Sequence, residues 1–451
     1  MNRFPTSGTA VGRTGSMRCC RFAAGLLACA WMLSLPGDVL AGGFHTPDFG
    51  TRRNGMLAVM GKPDDVTAVF HNVAGLTLLE GTNLYLTAQY TYADLGFRFY
   101  DSKGILRPDH EIKPVTSWAI VPFLGVSSDL GTKRLRVALA LYAPNLYGAD
   151  LPADEPSRYH LTKGFFFAAH LTGAVAWKVT DKFSIGAGIS AVYLVMQGTQ
   201  FMNPLVSKNP DLRFDSSAKV RDWDIKVALD GRGWTWDWNV GLLFQPIPTL
   251  GIGMSFTSGA DVSLEGPVTI RASRATSVPM KGRQTTTFAI PFCLRAGINW
   301  EFVKDFELGL DASYWHYQVN QEQQMKVDAS IASLVGSGGV VRTPKEFTNS
   351  WNVSVGLLYR VIPQVDLMIG FQRDASPIPT RTMTVENLNR GLTSVSMGVR
   401  WRAAHWVTVG LTYMRTWADL LVLQDSVLNP PTNGKGHGSM SHVAADLLFH
   451  L

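Results

Sequence analysis

Arg295 and Arg400 fall on the polar faces of segments that alternate apolar and polar residues. A guanidinium so placed inside a closed sheet could hold a ligand carboxylate in a two-pronged grip. The same side chains could instead pair with Glu301, Glu307, Asp311 or Asp374 across a lumen. His170, His442 and His450 also sit on polar faces. No Gly-x-Ser-x-Gly elbow and no His-Glu-x-x-His pair occurs, so these histidines read as hydrogen-bonding groups and not as parts of a hydrolase. Only His437 and His442 lie near each other in the last loop, and two histidines make a weak metal claim. No cofactor and no metal is called for. The chemistry on offer is binding, not catalysis.

Such groups need a frame, and the frame is legible as period-two alternation. Leu84, Leu86, Ala88, Tyr90 and Tyr92 share one face, and Tyr85, Thr87, Gln89 and Thr91 the other. The pattern recurs over 183–195, 292–302, 351–360, 365–374, 395–402 and 442–451. Alternation over this length predicts strands with unlike faces. In several of them an aromatic residue ends the apolar face, where a lipid-interface girdle would sit. Tight joins at 178–182, 303–305, 360–364 and 402–405 alternate with long polar stretches at 142–164, 198–221, 319–349, 373–391 and 423–441. Short turns on one side and long loops on the other are the habit of outer-membrane barrels. Taking 219–229 and 234–245 as one long strand, broken at Gly231 and Gly233, gives fourteen strands. A soluble sandwich or propeller would have shorter strands and a more charged polar face, and no blade-length repeat occurs.

Composition agrees. Charged residues make up 17% of the chain, below the roughly 25% of ordinary soluble proteins. Aromatics reach 11%, with 13 Trp, yet the mean hydropathy is only +0.06. No apolar run of about 20 residues follows the N-terminus, so no membrane-spanning helix is expected. Residues 1–41 read as a cleaved export signal: Arg18 and Arg21, an apolar stretch over 22–35, then Val39-Leu40-Ala41 as a cleavage site. That segment holds four Arg and one Asp, so its removal lowers the formal charge from +6 to +3. It also takes Cys19, Cys20 and Cys29, leaving Cys293 and no internal disulfide. The small charge and the lack of a basic patch argue against nucleic acid as a partner.

Between the signal and the first strand lies 42–81, an irregular segment. Its densest part, Asp64-Asp65-Val-Thr-Ala-Val-Phe70-His-Asn72-Val73-Ala74-Gly75-Leu76, carries Asn72 and Gly75, residue types that accept unusual backbone angles. A compact segment ahead of a closed ring of strands predicts a plug, with the barrel occupying 82–451.

Four stretches resemble the long-chain fatty-acid transporter (FadL-type) family of Gram-negative outer membranes, which includes channels for aromatic hydrocarbons. Asp64–Leu76 is similar to the family's hatch signature, with Val73 where a proline is usual. Arg158-Tyr159 stands in a long loop like the family's Gly-Arg-Tyr. Trp177–Tyr193 resembles the hairpin into the fifth strand. Asp374-Ala-Ser376-Pro377-Ile-Pro379 resembles an Asp-x-Ser-Pro-x-Pro signature that ends a strand. The resemblance implies a monomeric barrel of fourteen strands, filled by its N-terminal hatch. It implies capture of a hydrophobic molecule among the external loops, movement to a lumen pocket, and lateral release through a shifted hatch and a kinked third strand. That third strand is expected at 135–142, stopping at Ala143-Pro144. Partners would be the hydrophobic ligand, outer-membrane lipid and lipopolysaccharide, and the insertion machinery. Asp64, Asp65, Phe70, Asn72, Val73, Ala74 and Gly75 would gate. Leu146, Tyr147, Leu151, Phe165 and Phe167 are candidates for an apolar lining, since an apolar route binds what a water-filled pore cannot. A general diffusion porin and a surface adhesin are the competing readings.

Overall fold

The computed structural model describes residues 49–113, 118–273, 279–332, 337–385 and 390–451. The expected signal segment and residues 42–48 of the expected hatch lie outside the described residues.

Alternating residues form long antiparallel strands. In chain order these are β1 (Thr82–Tyr100), β2 (Leu106–Ile112), β3 (Trp118–Ser128), β4 (Leu135–Asp150), β5 (Lys163–Lys178), β6 (Phe183–Met202), β7 (Ile225–Ile247), β8 (Leu250–Thr257), β9 (Ala260–Ala272) and β10 (Met280–Ile290). They continue as β11 (Cys293–Val303), β12 (Phe306–Trp315), β13 (Glu322–Val327), β14 (Val340–Pro344), β15 (Ser350–Ile362), β16 (Val365–Ala375), β17 (Gly391–Ala404), β18 (Val407–Ala418), β19 (Leu421–Leu423) and β20 (Gly434–His450). Fourteen of them pair in the ring β1–β3–β4–β5–β6–β7–β8–β11–β12–β15–β16–β17–β18–β20. The ring closes where β20 meets β1, from Asn83↔His450 to Phe99↔Gly434. On the long-loop side β9, β10, β13 and β14 pair in turn and raise that part of the wall.

The alternation sorts the faces as expected. On β15 the buried Ser350, Asn352 and Ser354 point one way, while the exposed Trp351, Val353, Val355, Leu357 and Tyr359 point the other. Aromatic rings outside the wall form two belts. One runs Trp238–Phe256–Phe292–Tyr314, with centroids 5.2, 5.8 and 6.2 Å apart. The other joins Trp300, Phe302, Phe306 and Tyr359 at 6.0, 6.4 and 4.3 Å. Phe292 and Phe302 are ten residues apart in sequence. At about 3.3 Å per residue and a tilt of about 40°, the belts stand about 25 Å apart, the height of a bilayer's apolar band. No described helix is long and apolar enough to cross a membrane; the strands do so instead.

Two expectations need adjustment. The strand expected to break at Gly231 and Gly233 runs unbroken as β7, paired with β6 from Ile225 to Phe244, and residues 218–221, expected at its start, are helical. The external loops are shorter than the polar stretches suggested: β4 reaches Asp150, β6 reaches Met202, and β13 and β14 lie inside the stretch 319–349. Above the apolar band both faces of a strand meet water or loops, so alternation fades although hydrogen bonding continues.

Candidate functional site

Residues 49–79 are folded against the inner wall. The helical turn Thr51–Met56 packs on β15, β16, β17, β18 and β20, and the 3-10 turn Val73–Leu78 on β4, β5, β6 and β7. The wall admits them because it presents glycines: a Cβ at Gly253 would strike the Met60 carbonyl, and one at Gly356 the Met56 carbonyl. Asn72 and Gly75 serve differently from expectation. Asn72 is extended, at φ −154, and caps the 3-10 turn by accepting from the Ala74 N–H at 3.2 Å. Its Nδ2 donates to the Leu242 carbonyl of β7 at 3.0 Å. Gly75 is required by crowding, because a Cβ there would meet the Pro63 ring. Val73 and Ala74 are buried in the same turn.

The adjacent acids divide their work. Asp65 closes a local turn by accepting from the Thr67 N–H at 2.8 Å. Asp64 joins an ion network between this segment and the wall. Buried Arg52 donates to it at 2.9 and 3.0 Å and to Glu307 of β12 at 2.8 Å. Arg400 of β17 reaches Asp64 at 3.0 Å and Asp366 of β16 at 2.8 Å. Lys62 holds the other Glu307 oxygen at 2.6 Å.

Arg295 stands apart. It lines a cavity of about 120 Å³ above this segment, together with Met60, Trp315, Asp374, Met414 and Met440 among others. It is 7% exposed, donates to the Phe70 carbonyl at 3.3 Å and to Thr257 Oγ1 at 3.5 Å, and is in no ion pair with a described carboxylate. Asp374 ends β16 as the Ser376-Pro377-Ile-Pro379 run suggests. It accepts from Gln372 Nε2 at 2.7 Å and also from Asn352 Nδ2. Ser376 Oγ accepts from the Ile378 N–H, and the Pro377 carbonyl from the Thr348 N–H. His170 pairs with Asp237 at 3.2 Å and stacks on Tyr142.

The β3–β4 ladder is short. It runs from Ser128↔Val137 to Phe123↔Tyr142 and stops, while β3 continues along β1 up to Tyr92↔Trp118. The fourth strand in chain order, third in the ring, does not end at Ala143-Pro144 as expected. It carries on beside β5 after a bulge, with Tyr142↔His170 followed by Asn145↔Ala168. Pro122 on β3 and Pro144 on β4 lack the N–H that would bridge the two strands here. Beside this opening lies one apolar cluster. It contains Leu146, Tyr142, Phe123, Val121, Ala119 and the segment's own Phe49 and Phe70, with Phe165 and Phe167 packed on it. Leu151 belongs to a separate cluster in the outer loops. Tyr147 lies on β4 opposite Phe166, but its side chain is outside the described residues.

The outer loops cap the barrel. Arg158 donates to Asp224 at 3.1 Å, and Tyr159 and Asn203 reach the same carboxylate at 3.0 and 2.7 Å, clasping the β4–β5 loop to the β6–β7 loop. Next to them His160 stacks on Phe99 at 5.5 Å, and the Arg213 guanidinium covers the same ring at 4.5 Å. Burial, with Arg213 nearby, pushes the His160 imidazole down to about 3. A free imidazole titrates near 6.5, so the packed cap holds the neutral form and an opened cap takes up a proton. Cap packing is therefore at full strength above about pH 6.5 and weakens as pH falls towards 3, with opening favoured up to about tenfold per pH unit. Proteolytic nicking of the 151–162 and 203–224 loops should rise from pH 7.5 to pH 5 in the wild type. The rise should be smaller in His160→Gln.

Comparison with known proteins gives a consistent picture. The family description "Outer membrane protein transport protein (OMPP1/FadL/TodX)" matches residues 32–441. Outer membrane protein P1 of Haemophilus influenzae is 21% identical over 440 residues, covering 87% of this chain and 89% of that protein. A FadL homologue of Pseudomonas aeruginosa has a similar crystal structure, with TM-score 0.77 and 16% identity, covering 91% of this chain and all of that one. The toluene transporter TodX of P. putida gives 0.68 and 13%, over 90% of this chain and 99% of the other. The toluene transporter TbuX of Ralstonia pickettii gives 0.66 and 16%, over 89% and 99%.

Proposed function

The chain belongs to the outer membrane protein transport family (OMPP1/FadL/TodX), and from that membership we propose that its 49–79 segment is a hatch and its β3–β4 opening a lateral exit for hydrophobic molecules. The fourteen-strand barrel sits in the Gram-negative outer membrane and serves the uptake of such molecules. Long-chain fatty acids and aromatic hydrocarbons are the substrate classes in view. The outer loops capture the molecule, the lumen cavity receives it, and the hatch yields to let it leave sideways into the bilayer.

One observation carries this reading: the apolar cluster from Phe165, Phe167 and Leu146 to the hatch ring Phe70 lies where the β3–β4 ladder stops. An apolar solute gains from every apolar contact along such a route and would lose them in an aqueous pore. Leaving between strands also spares it a passage through the periplasmic mouth, which the Arg52–Asp64–Arg400 network occupies.

The test is uptake of labelled hexadecanoate and labelled toluene by a strain lacking the protein, with and without the gene restored. Restored uptake of at least one is expected. Unchanged uptake accompanied by loss of surface binding would favour an adhesin. Rapid entry of small sugars into vesicles carrying the protein would favour a diffusion porin.

A further inference from the structure

We infer that His170, oriented by Asp237, is a hydroxyl-recognising site in the lumen wall, so that among hydrophobic molecules the barrel favours those that carry a hydroxyl, such as alkylphenols. This deepens the transport reading above and rests on it.

His170 lies on the inner face of β5 and is 6% exposed. Its Nδ1 faces Asp237 Oδ2 of β7 at 3.2 Å. An ionised carboxylate only accepts, so Nδ1 carries a hydrogen. In the neutral ring Nε2 is then a lone pair, an acceptor and nothing else. That nitrogen is shut off from solvent and meets no hydrogen-bond partner among the described residues. The hydroxyls around it are committed to one another: Tyr142 Oη is 2.9 Å from Thr172 Oγ1, which is 2.9 Å from Ser190 Oγ. A buried acceptor without a donor is costly, and an arriving donor recovers that cost.

The position is what makes the acceptor useful, because His170 joins two apolar clusters. On one side its ring stacks on Tyr142, with centroids 5.4 Å apart and planes 12° apart. Tyr142 belongs to the cluster beside the β3–β4 opening. On the other side Val192 lies opposite His170 on β6, and Ala168 shares its face of β5. Both belong to a cluster that continues to Val262 and Leu264 of β9, on the long-loop side. A molecule moving from the outer cluster to the opening therefore passes a bare acceptor in an otherwise apolar wall. Apolar walls with a few placed polar groups are how binding sites orient and choose their ligands. A hydroxyl satisfies Nε2 while the rest of the molecule keeps its apolar contacts. A plain hydrocarbon leaves Nε2 unpaired. A carboxylate brings a second negative charge within a ring's width of Asp237. A site that hydrogen-bonds a hydroxyl rejects the analogue lacking it far better than an apolar pocket discriminates by size.

The experiment uses the full-length protein in bilayer discs, with para-propylphenol and its methyl ether, para-propylanisole, as probes. Binding is read by equilibrium dialysis, with protein-free discs subtracted. The readout is the ratio of the two affinities, in which any general loss of lumen binding cancels. The wild type should hold the phenol about 10- to 100-fold more tightly than the ether. His170→Phe keeps a ring on Tyr142 but no acceptor, and should bind the two alike. Asp237→Asn is the second variant: its amide can donate to Nδ1 and move the ring hydrogen to Nε2, so the preference for the phenol should fall. Heat-modifiable migration on gels confirms that each variant barrel is folded. Equal binding of phenol and ether by the wild type, or a preference that survives in His170→Phe, would overturn the site while leaving transport standing. Tighter binding of para-propylbenzoate than of the phenol, lost in His170→Phe, would also overturn it, since the ring would then be a charged donor. Failure of both the phenol and the ether to bind the wild type would sink the transport reading, and the site with it.

Discussion

Deleting Pro144 is expected to reduce uptake of hydrophobic solutes to that of cells lacking the protein, while leaving a folded barrel. Ala143 and Pro144 together oppose Ala169 alone, between the pairs Tyr142↔His170 and Asn145↔Ala168. Removing one residue makes the β4–β5 register continuous without turning any later side chain to the other face. It also removes a residue that cannot donate, so β4 gains the chance to continue its ladder with β3 past Phe123. A regular strand closes the wall beside Leu146 and Val121, where the apolar cluster meets the opening. Pro144→Ala is the control: it restores the N–H but keeps the extra residue, so the bulge persists and uptake should fall only in part. Surface quantity measured on intact cells separates lost transport from lost assembly.

Removing Asp64 should have the second large effect, on the seating of the hatch. Asp64→Ala leaves Arg52, which is fully buried, with Glu307 alone, and Arg400 with Asp366 alone. Breaking a buried pair by removing one partner costs about 3–5 kcal/mol. Here each arginine keeps a second carboxylate, so the lower end applies. About 3 kcal/mol would multiply the unseated fraction of the hatch roughly a hundredfold. Vesicles carrying Asp64→Ala should admit small sugars that the wild type excludes, and amides of 51–78 should exchange faster, with the barrel unchanged. Lys62→Ala is the contrast. Its side chain is 31% exposed, and the buried Glu307 keeps Arg52 as a partner at 2.8 Å, so less leak is expected than from Asp64→Ala.

The barrel was legible because its signal is redundant: every strand repeats the same two-sided pattern, and the turns repeat the same asymmetry. The hatch was legible as a segment but not as a fit. Gly356 and Gly370 were visible on polar faces, yet a glycine there reads as merely small. Its reason is the Met56 backbone lying against it, a contact between positions some 300 residues apart. The two arginines looked alike in sequence and are not. Arg400 has Asp366 opposite it in register on β16, which a strand alignment could have shown. Arg295 is opposite Ser255 and Ser313, and its lack of a carboxylate emerges only when the lumen is assembled. The wall opening was missed because alternation says nothing about which neighbour a strand pairs with. Pro122 and Pro144 were the available signal, and they matter only when seen on adjacent strands.

On the proposed route a hydrophobic molecule passes through the lumen and leaves between β3 and β4. The most direct test is photocrosslinking with hexadecanoate carrying a diazirine near its tail, applied to cells displaying the protein and read by mass spectrometry. Transit by the proposed route predicts labels on Phe70, Val121, Tyr142, Leu146, Phe165 or Phe167, reduced by unlabelled hexadecanoate. Labels confined to the lipid-facing side of the wall, such as Trp238, Leu242 and Phe244, and indifferent to competitor would contradict it.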